Sequence, residues 1–299
     1  MSAAETARGP APSLARDRPE TPPPAYAYLM RCADGSLYAG WTNDLARRVR
    51  AHKTGKGAKY TRARHGVALA YAQRCADKGA AMRREVELKN MTKPGKEALA
   101  EAWAAENAVT VRMAAPDDAP AVAALYNWYV AHDTATFQYQ ESTVEEYRAN
   151  IAHTLEKAPF LVAVGGDGRL HGFACAHPWH DRQAYAWDVE TTIYCDPAFL
   201  GRGVGQRLYT ALLTLLKSQG YYNALALVAH PNPASEAFHK TMGFVRFGLE
   251  PRTGYKFGEW LGLGYWLLPL KPGAAKPAPV KYELDAKTVE RVLKSVNKP

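Results

Sequence analysis

Cysteine is scarce in this chain, with four residues, Cys32, Cys75, Cys175 and Cys195, among 299. They are widely spaced, with no CxxC pair and no Cys/His cluster at metal-ligand spacing, which argues against a disulfide framework or a zinc site and for reduced, buried thiols. An apolar run of about 18 residues, the minimum for a membrane helix, is also missing. The opening segment is a Pro/Ala/charged tract without an apolar h-region, so the expectation is a cytoplasmic protein with no membrane partner. No internal repeat is found, which leaves no repeat architecture to consider.

What is present points to two packed units. The length exceeds one average domain, and an apolar fraction of 47% suits globular cores, so disorder must be local. The net charge of +9 is unevenly spread. Residues 25–107 hold sixteen Lys and Arg against eight Asp and Glu, whereas 108–271 hold thirteen against fifteen. A small segment with that surplus suits a polyanion, and its near-neutral neighbour suits a small-molecule pocket.

Residues 1–24, rich in Pro and lacking apolar periodicity, read as a disordered or polyproline-like arm. Short apolar runs then predict strands over 26–31 and 37–41 around Asp34-Gly35-Ser36, a hairpin signal. Thr42 or Asn43 is placed to cap a helix over 44–53. A basic loop over 54–64, a strand over 69–74 and helices over 78–91 and 96–107 complete the first unit. The second, 108–271, alternates strands over 109–113, 160–165, 170–178, 187–194, 224–229, 244–249 and 264–270 with helices over 119–132, 144–157, 205–219 and 234–242. The fold class is therefore α/β (α+β). Residues 272–299 read as a linker and a short amphipathic helix over 286–296 with Val289, Val292, Leu293 and Val296 on one face.

In the basic unit, Tyr28 and Tyr38 sit on the two strands of one hairpin, and Arg48 and His52, four apart on the next helix, share a face. Phosphodiester hydrolysis needs a deprotonated nucleophile, positive charge against the transition state and usually a hard cation on carboxylate oxygen. Glu85 on a later helix offers that carboxylate, or pairs with Lys89 one turn on. Likewise the tyrosines read as half-buried strand residues and Arg48 as a solvated charge. The ordered stretches from Tyr28 to Gly40, Asp44 to Arg48 and Gly55 to Arg62 resemble the small, standalone-type GIY-YIG nuclease domains over residues 25–103. The resemblance implies a small antiparallel sheet with flanking helices and makes Tyr28 and Tyr38 the paired motif tyrosines. It further implies that Arg48 stabilises phosphate, that His52 assists proton transfer or positions the nucleophile, and that Glu85 holds one divalent metal, Mg²⁺ or similar. The motifs read Ala27-Tyr28-Leu29 and Tyr38-Ala39-Gly40, departing from the family's literal letters while keeping the tyrosines and the glycine. Lys53, Lys56, Lys59, Arg62 and Arg64 form a loop that either tracks a nucleic-acid backbone or is a solvated surface.

In the second unit, Gly201, Gly203 and Gly205 lie between a strand and an apolar helix. Missing side chains there open consecutive N–H groups and a helix N-terminus to a pyrophosphate, though another nucleotide or a tight connection fits the same pattern. Together with the run from Asn232 to Phe244, the segment resembles the GNAT N-acetyltransferases, whose fold is a mixed sheet with helices on both faces. Membership implies acetyl-CoA in a V between the strands at 187–194 and 224–229, with its pyrophosphate on the amides of Gly201, Arg202, Gly203, Val204, Gly205 and Gln206. It also implies that Asn232 orients the cofactor and that the backbone near Ile193 polarises the thioester. Leu200 replaces the usual Gln or Arg that opens the motif. The stretches Trp187 to Tyr194 and Gly254 to Trp260, with Phe173 to Trp179, resemble the phosphinothricin and methionine-sulfoximine acetyltransferase branch over 108–271.

An attacking ammonium must first lose a proton, and Glu190 is the candidate base, unless it is simply a paired strand carboxylate. His239 stands where many of these enzymes place a Tyr acid, so it reads as an acid, a support for Glu190 or a satisfied helix histidine. Phe137, Tyr139, Trp179 and Tyr255 either shape the acceptor pocket or pack in the core. The whole reads as an acetyltransferase of a small amino-acid-like amine joined to an endonuclease that acts on nucleic acid, with a homodimer implied by resemblance. The alternatives are a silent nucleic-acid-binding first domain, and an acceptor that is a protein or polyamine.

Overall fold

Two separate sheets organise the chain. The computed structural model describes residues 25–64, 67–106, 108–199, 202–274 and 276–297. The arm expected over 1–24 and the candidate cofactor residue Gly201 lie outside the described residues.

The first sheet is antiparallel in the order β2-β1-β3, with β1 Ala25–Arg31, β2 Leu37–Thr42 and β3 Ala68–Cys75. Gly35 makes the hairpin turn at φ +76°, a conformation that favours glycine. Helix α1 (Leu45–Lys53) is capped by Asp44, whose carboxylate accepts Arg47 N–H at 2.8 Å, rather than by Thr42 or Asn43. Thr42 instead accepts the Asp44 N–H through Oγ1. A short helix α2 (Lys59–Arg62) stands within the expected basic loop. Helices α3 (Lys78–Asn90) and α4 (Lys93–Glu106) follow. Helix α4 starts three residues earlier than expected because Pro94 falls in its first turn, where a missing N–H costs nothing. Alternation along β1 buries Tyr28 and Met30 on the α1 side and Ala27 and Leu29 on the side of Leu88 from α3, so the small sheet is covered on both faces.

The second sheet has seven strands in the order β4-β5-β6-β7-β8-β10-β9. They are β4 Val109–Met113, β5 Phe160–Gly165, β6 Leu170–Pro178, β7 Asp188–Cys195, β8 Asn223–His230, β9 Val245–Lys256 and β10 Glu259–Pro269. Every pairing is antiparallel except β7 with β8, which makes the sheet mixed. Helices α5 (Ala119–His132) and α6 (Val144–Leu155) cover one face; α7 (Val204–Gln219), α8 (Pro233–Thr241) and α9 (Ala286–Val296) lie with the other. In α7, Leu208, Leu212, Leu215 and Leu216 are fully buried, and each such side chain contributes about 1.5–3 kcal/mol. Helix α9 lays Val292 on that core, and Asn297 beyond it bonds both the N–H and the C=O of Val111 on edge strand β4, at 2.8 Å each.

Strands β9 and β10 run far longer than their apolar stretches suggested. Pro251 is tolerated because β9 is an edge strand, and residues 251–253 bulge out between the pairs Leu263–Glu250 and Leu261–Gly254, with Arg252 at φ +53°. All four cysteines are free, Cys32 and Cys175 buried and Cys75 and Cys195 half-buried. Among the described residues no helix is long and apolar enough to cross a membrane.

Candidate functional site

Strands β7 and β8 pair only through Asp188–Asn223, Val189–Ala224 and Glu190–Leu225 and then diverge. Backbone groups that lose their ladder partner must find another. The resulting cleft of about 140 Å³ is lined by Glu190, Ile193, Asn232 and His239. Four of the singled-out residues therefore meet at one opening. Gly203 caps α7 at φ +82°, and Val204, Gly205 and Gln206 form its first turn, whose N–H groups have no intrahelical acceptors. Gly205 lies under Cys195, Phe238 and Ile193, at ordinary contact distance for a Cβ. The guanidinium of Arg202 lies over the Phe199 ring at 3.9 Å and over Trp103 of α4 at 4.8 Å, and burial pulls its pKa down to about 10. Asn232 caps α8, its Oδ1 accepting Ser235 N–H at 3.0 Å.

Along β7, Glu190, Thr192 and Tyr194 face α5 and α6 while Val189, Thr191 and Ile193 face α7. Glu190 sits opposite His177 in the β6–β7 register, with Nε2 to Oε1 at 3.9 Å. Burial raises the Glu190 pKa above its ordinary value, opposed by the charges of His177 and His180. His239 belongs to a different network. Its Nδ1–H donates to the Ser235 carbonyl at 2.9 Å, leaving Nε2 to face the Tyr209 hydroxyl at 3.2 Å. Tyr209 in turn meets Thr191 Oγ1 at 2.7 Å, and Thr191 donates to the Leu225 carbonyl. Burial lowers the His239 pKa, so the ring is held neutral.

Phe137 and Tyr139, on the loop after α5, meet the β9–β10 hairpin. A Cβ on Gly254 would come within 2.6 Å of the Phe137 ring, and the Tyr139 hydroxyl donates to the Tyr255 carbonyl. Trp179 stands elsewhere, at the end of β6 against His180.

In the first domain the structure brings Tyr28, Tyr38, Arg48 and His52 together. Arg48 Nε–H donates to the Tyr28 oxygen at 2.8 Å, and that oxygen lies 3.0 Å from His52 Nε2. On the other side of the ring, Thr61 donates its hydroxyl proton to the Ala58 carbonyl and so accepts from His52 Nδ1–H at 2.7 Å. His52 Nε2 is then the acceptor for the Tyr28 phenol. Burial lowers the His52 pKa to about 4, with the Arg48 charge adding to it, and burial raises Tyr28 to about 12. The Tyr38 ring packs 6.5 Å from Tyr28 and stacks on Tyr60 at 5.7 Å.

Glu85 forms the ion pair with Lys89, at 2.9 Å. Among the described residues no three His, Cys, Asp or Glu side chains gather at metal-holding distance. One carboxylate still fits a cation such as Mg²⁺, which keeps most of its waters and takes further oxygens from substrate phosphate.

Thr61, His177, Thr191 and Tyr209 escaped the sequence reading. Only strand register would have put His177 beside Glu190, and the other three act through tertiary hydrogen bonds.

Comparison with known proteins agrees with both halves. A family model for the acetyltransferase (GNAT) domain matches residues 111–262, and one for the GIY-YIG catalytic domain matches residues 24–98. A phosphinothricin N-acetyltransferase of Streptomyces viridochromogenes is 33% identical over 173 residues, 56% of this chain and 94% of that protein. A UPF0213 protein of Bacillus pumilus is 48% identical over 85 residues, 28% of this chain and 87% of that protein. Among solved structures, a GNAT superfamily phosphinothricin acetyltransferase from Sinorhizobium meliloti in complex with acetyl-CoA superposes with a TM-score of 0.55 at 29% identity, covering 57% of this chain and 94% of that one. With a divergent β7–β8 pair, a glycine-capped α7 and these matches, the chain belongs to the GNAT acetyltransferase family and carries a GIY-YIG domain ahead of it.

Proposed function

We propose that the second domain transfers the acetyl group of acetyl-CoA to the amine of a small amino-acid-like molecule of the phosphinothricin or methionine-sulfoximine type. The observation that carries this reading is a half-buried carboxylate, Glu190, at the point where β7 and β8 part. Its raised pKa brings it toward the range in which a base both accepts and releases protons readily. Glu190 takes the ammonium proton, directly or through one water, and the free amine attacks the thioester carbonyl; the tetrahedral adduct collapses with C–S cleavage, and CoA leaves as a thiolate that takes up the proton shed by the new amide nitrogen. The N–H groups of residues 202–206 and the α7 dipole bind pyrophosphate. His239, packed 3.2 Å from the Tyr209 hydroxyl, acts as a positioning group for Tyr209, Thr191 and the floor of β7 rather than as an acid. Phe137, Tyr139 and Tyr255 wall the acceptor side, with Trp179 further out. The apolar stripe of Val245, Phe247 and Leu249 exposed along edge strand β9 supports pairing of two copies. Steady-state acetyl transfer to phosphinothricin, methionine sulfoximine, polyamines and basic peptides tests the acceptor. Turnover of the last two alone removes the amino-acid reading.

A second activity is favoured by the Arg48–Tyr28–His52 chain, which is built for phosphodiester hydrolysis in a metal-dependent GIY-YIG endonuclease. Neutral His52 accepts the hydrogen bond of the Tyr28 hydroxyl and is placed to take its proton, Arg48 offers positive charge, and Glu85 is the residue to hold the divalent cation, which when bound supplies charge against phosphate oxygen. The basic residues Lys53, Lys56, Lys59 and Arg62 then follow the sugar-phosphate backbone. Cleavage of single-stranded or branched DNA with Mg²⁺, lost in Glu85→Ala, is the expected result; binding without cleavage makes the domain a localising module. Both activities belong in a cytoplasmic protein with reduced thiols.

A further inference from the structure

Lys256, the last residue of β9, is only 2% exposed, yet it carries a charged side chain. Burying an ammonium is costly unless its three N–H groups find acceptors. Here each does. Lys256 Nζ donates to the backbone carbonyls of Tyr129 at 3.3 Å, Asp133 at 2.7 Å and Thr136 at 2.8 Å. Tyr129 lies in the last turn of α5, its carbonyl also accepting the Asp133 N–H at 3.1 Å, and Asp133 is the C-cap, so the ammonium meets carbonyls at the negative pole of the helix. A side chain more than a hundred residues away thus finishes α5 and fixes the turn that follows it.

That turn leads into the loop at 133–139, and two more ties join the loop to the same strand. The Phe137 ring presses on Gly254, and Tyr139 donates to the Tyr255 carbonyl. On the other side the loop meets the Glu190 face of β7. Ala135 lines the cleft with Glu190, and the Tyr194 hydroxyl reaches the Ala135 carbonyl at 3.5 Å. Gln138 and Ser142 line the adjoining cavity of about 210 Å³ with Thr192 and His177. The loop therefore divides two spaces on the side from which an amine must reach Glu190. The α7 N-terminus, where pyrophosphate binds in the reading above, shares no residue with it.

We infer that Lys256 is a positioning residue for the amine acceptor: by clamping the loop at 133–139 to the β9–β10 hairpin it sets the acceptor wall without touching the acetyl-CoA end. The inference rests on the acceptor reading given above. No chemistry of Lys256 itself is needed, since its N–H groups are all engaged by carbonyls.

The test is Lys256→Met in the full chain, which keeps the apolar stem and removes the three donors. Two readouts are taken. In bisubstrate kinetics with phosphinothricin as the probe amine, the amine KM is expected to rise by about tenfold or more, as a loss of acceptor binding does, while the acetyl-CoA KM stays within about twofold. In amide hydrogen exchange, residues 133–139 are expected to exchange faster while α7 is unchanged. Gly254→Ala, which pushes on Phe137 from the same strand two residues before Lys256, is expected to move the amine KM in the same direction and serves if Lys256→Met does not fold. Unchanged exchange at 133–139, or an equal rise in both KM values, overturns the inference. If the wild-type chain acetylates no amino-acid analogue, the acceptor reading has failed, and exchange alone then decides whether the clamp exists.

Discussion

Replacing Thr61 by valine keeps the volume of a fully buried side chain and removes one hydroxyl. In the native site that hydroxyl accepts His52 Nδ1–H at 2.7 Å, and both residues are 1% exposed, so no water stands ready to replace it. A buried donor left without an acceptor costs about 1–3 kcal/mol. The ring can avoid that cost only by moving its proton to Nε2, and then the Tyr28 hydroxyl loses its acceptor, since Arg48 Nε already donates to the same oxygen. Either way one polar group is unsatisfied. At about 1.4 kcal/mol per factor of ten, opening of α1 and β1 should become roughly 5- to 150-fold more frequent. Native-state hydrogen exchange over residues 25–31 and 45–53 reads this directly, with β5 and β6 as an internal control that should not change. Thr61→Ser, which retains the hydroxyl, should recover most of the protection. Unaltered exchange in Thr61→Val, or equal damage from Thr61→Ser, would refute the directed hydrogen-bond chain.

Two further outcomes follow from the second domain. Because burial raises the Glu190 pKa from 4.5 and the reaction needs the carboxylate, kcat/KM should climb as pH rises through that raised value. A pH–rate profile of Glu190→Gln should lose this acid limb and run about 10²–10⁴-fold lower; a variant that keeps the limb assigns it to another group. Asn297→Ala removes both bonds to Val111 and the contact with Arg207, and chemical denaturation should report a loss of about 1–3 kcal/mol; a change below about 0.5 kcal/mol would mean the chain end only rests on the edge strand.

Much of the architecture is written locally. The Asp34-Gly35 turn, the Ala115 to Asp118 entry to α5 and the apolar period of α7 depend on neighbours in sequence, and the elements stand within a residue or two of where those signals put them. The α1 cap falls on Asp44 rather than on Thr42 or Asn43 because all three residue types can cap and only backbone geometry chooses. In sequence, Pro251 and the charged residues around it look like a loop, yet they lie within strand β9. Its edge position and bulge, both tertiary facts, make them acceptable. The site shows the same division. Arg48 and His52 share a one-turn spacing that sequence reveals, whereas Lys256 meets carbonyls of Tyr129, Asp133 and Thr136, and carbonyls carry no side-chain signature. His177 faces Glu190 only through the register of two strands.

A crystal structure of the full chain with CoA and phosphinothricin tests the central claim most directly. The account requires the pyrophosphate on the N–H groups of residues 202–206, and the acceptor amine about 3 Å from Glu190 or one water away, on the side of the loop at 133–139. An amine resting against His239 and remote from Glu190, or a pyrophosphate away from the start of α7, would contradict it.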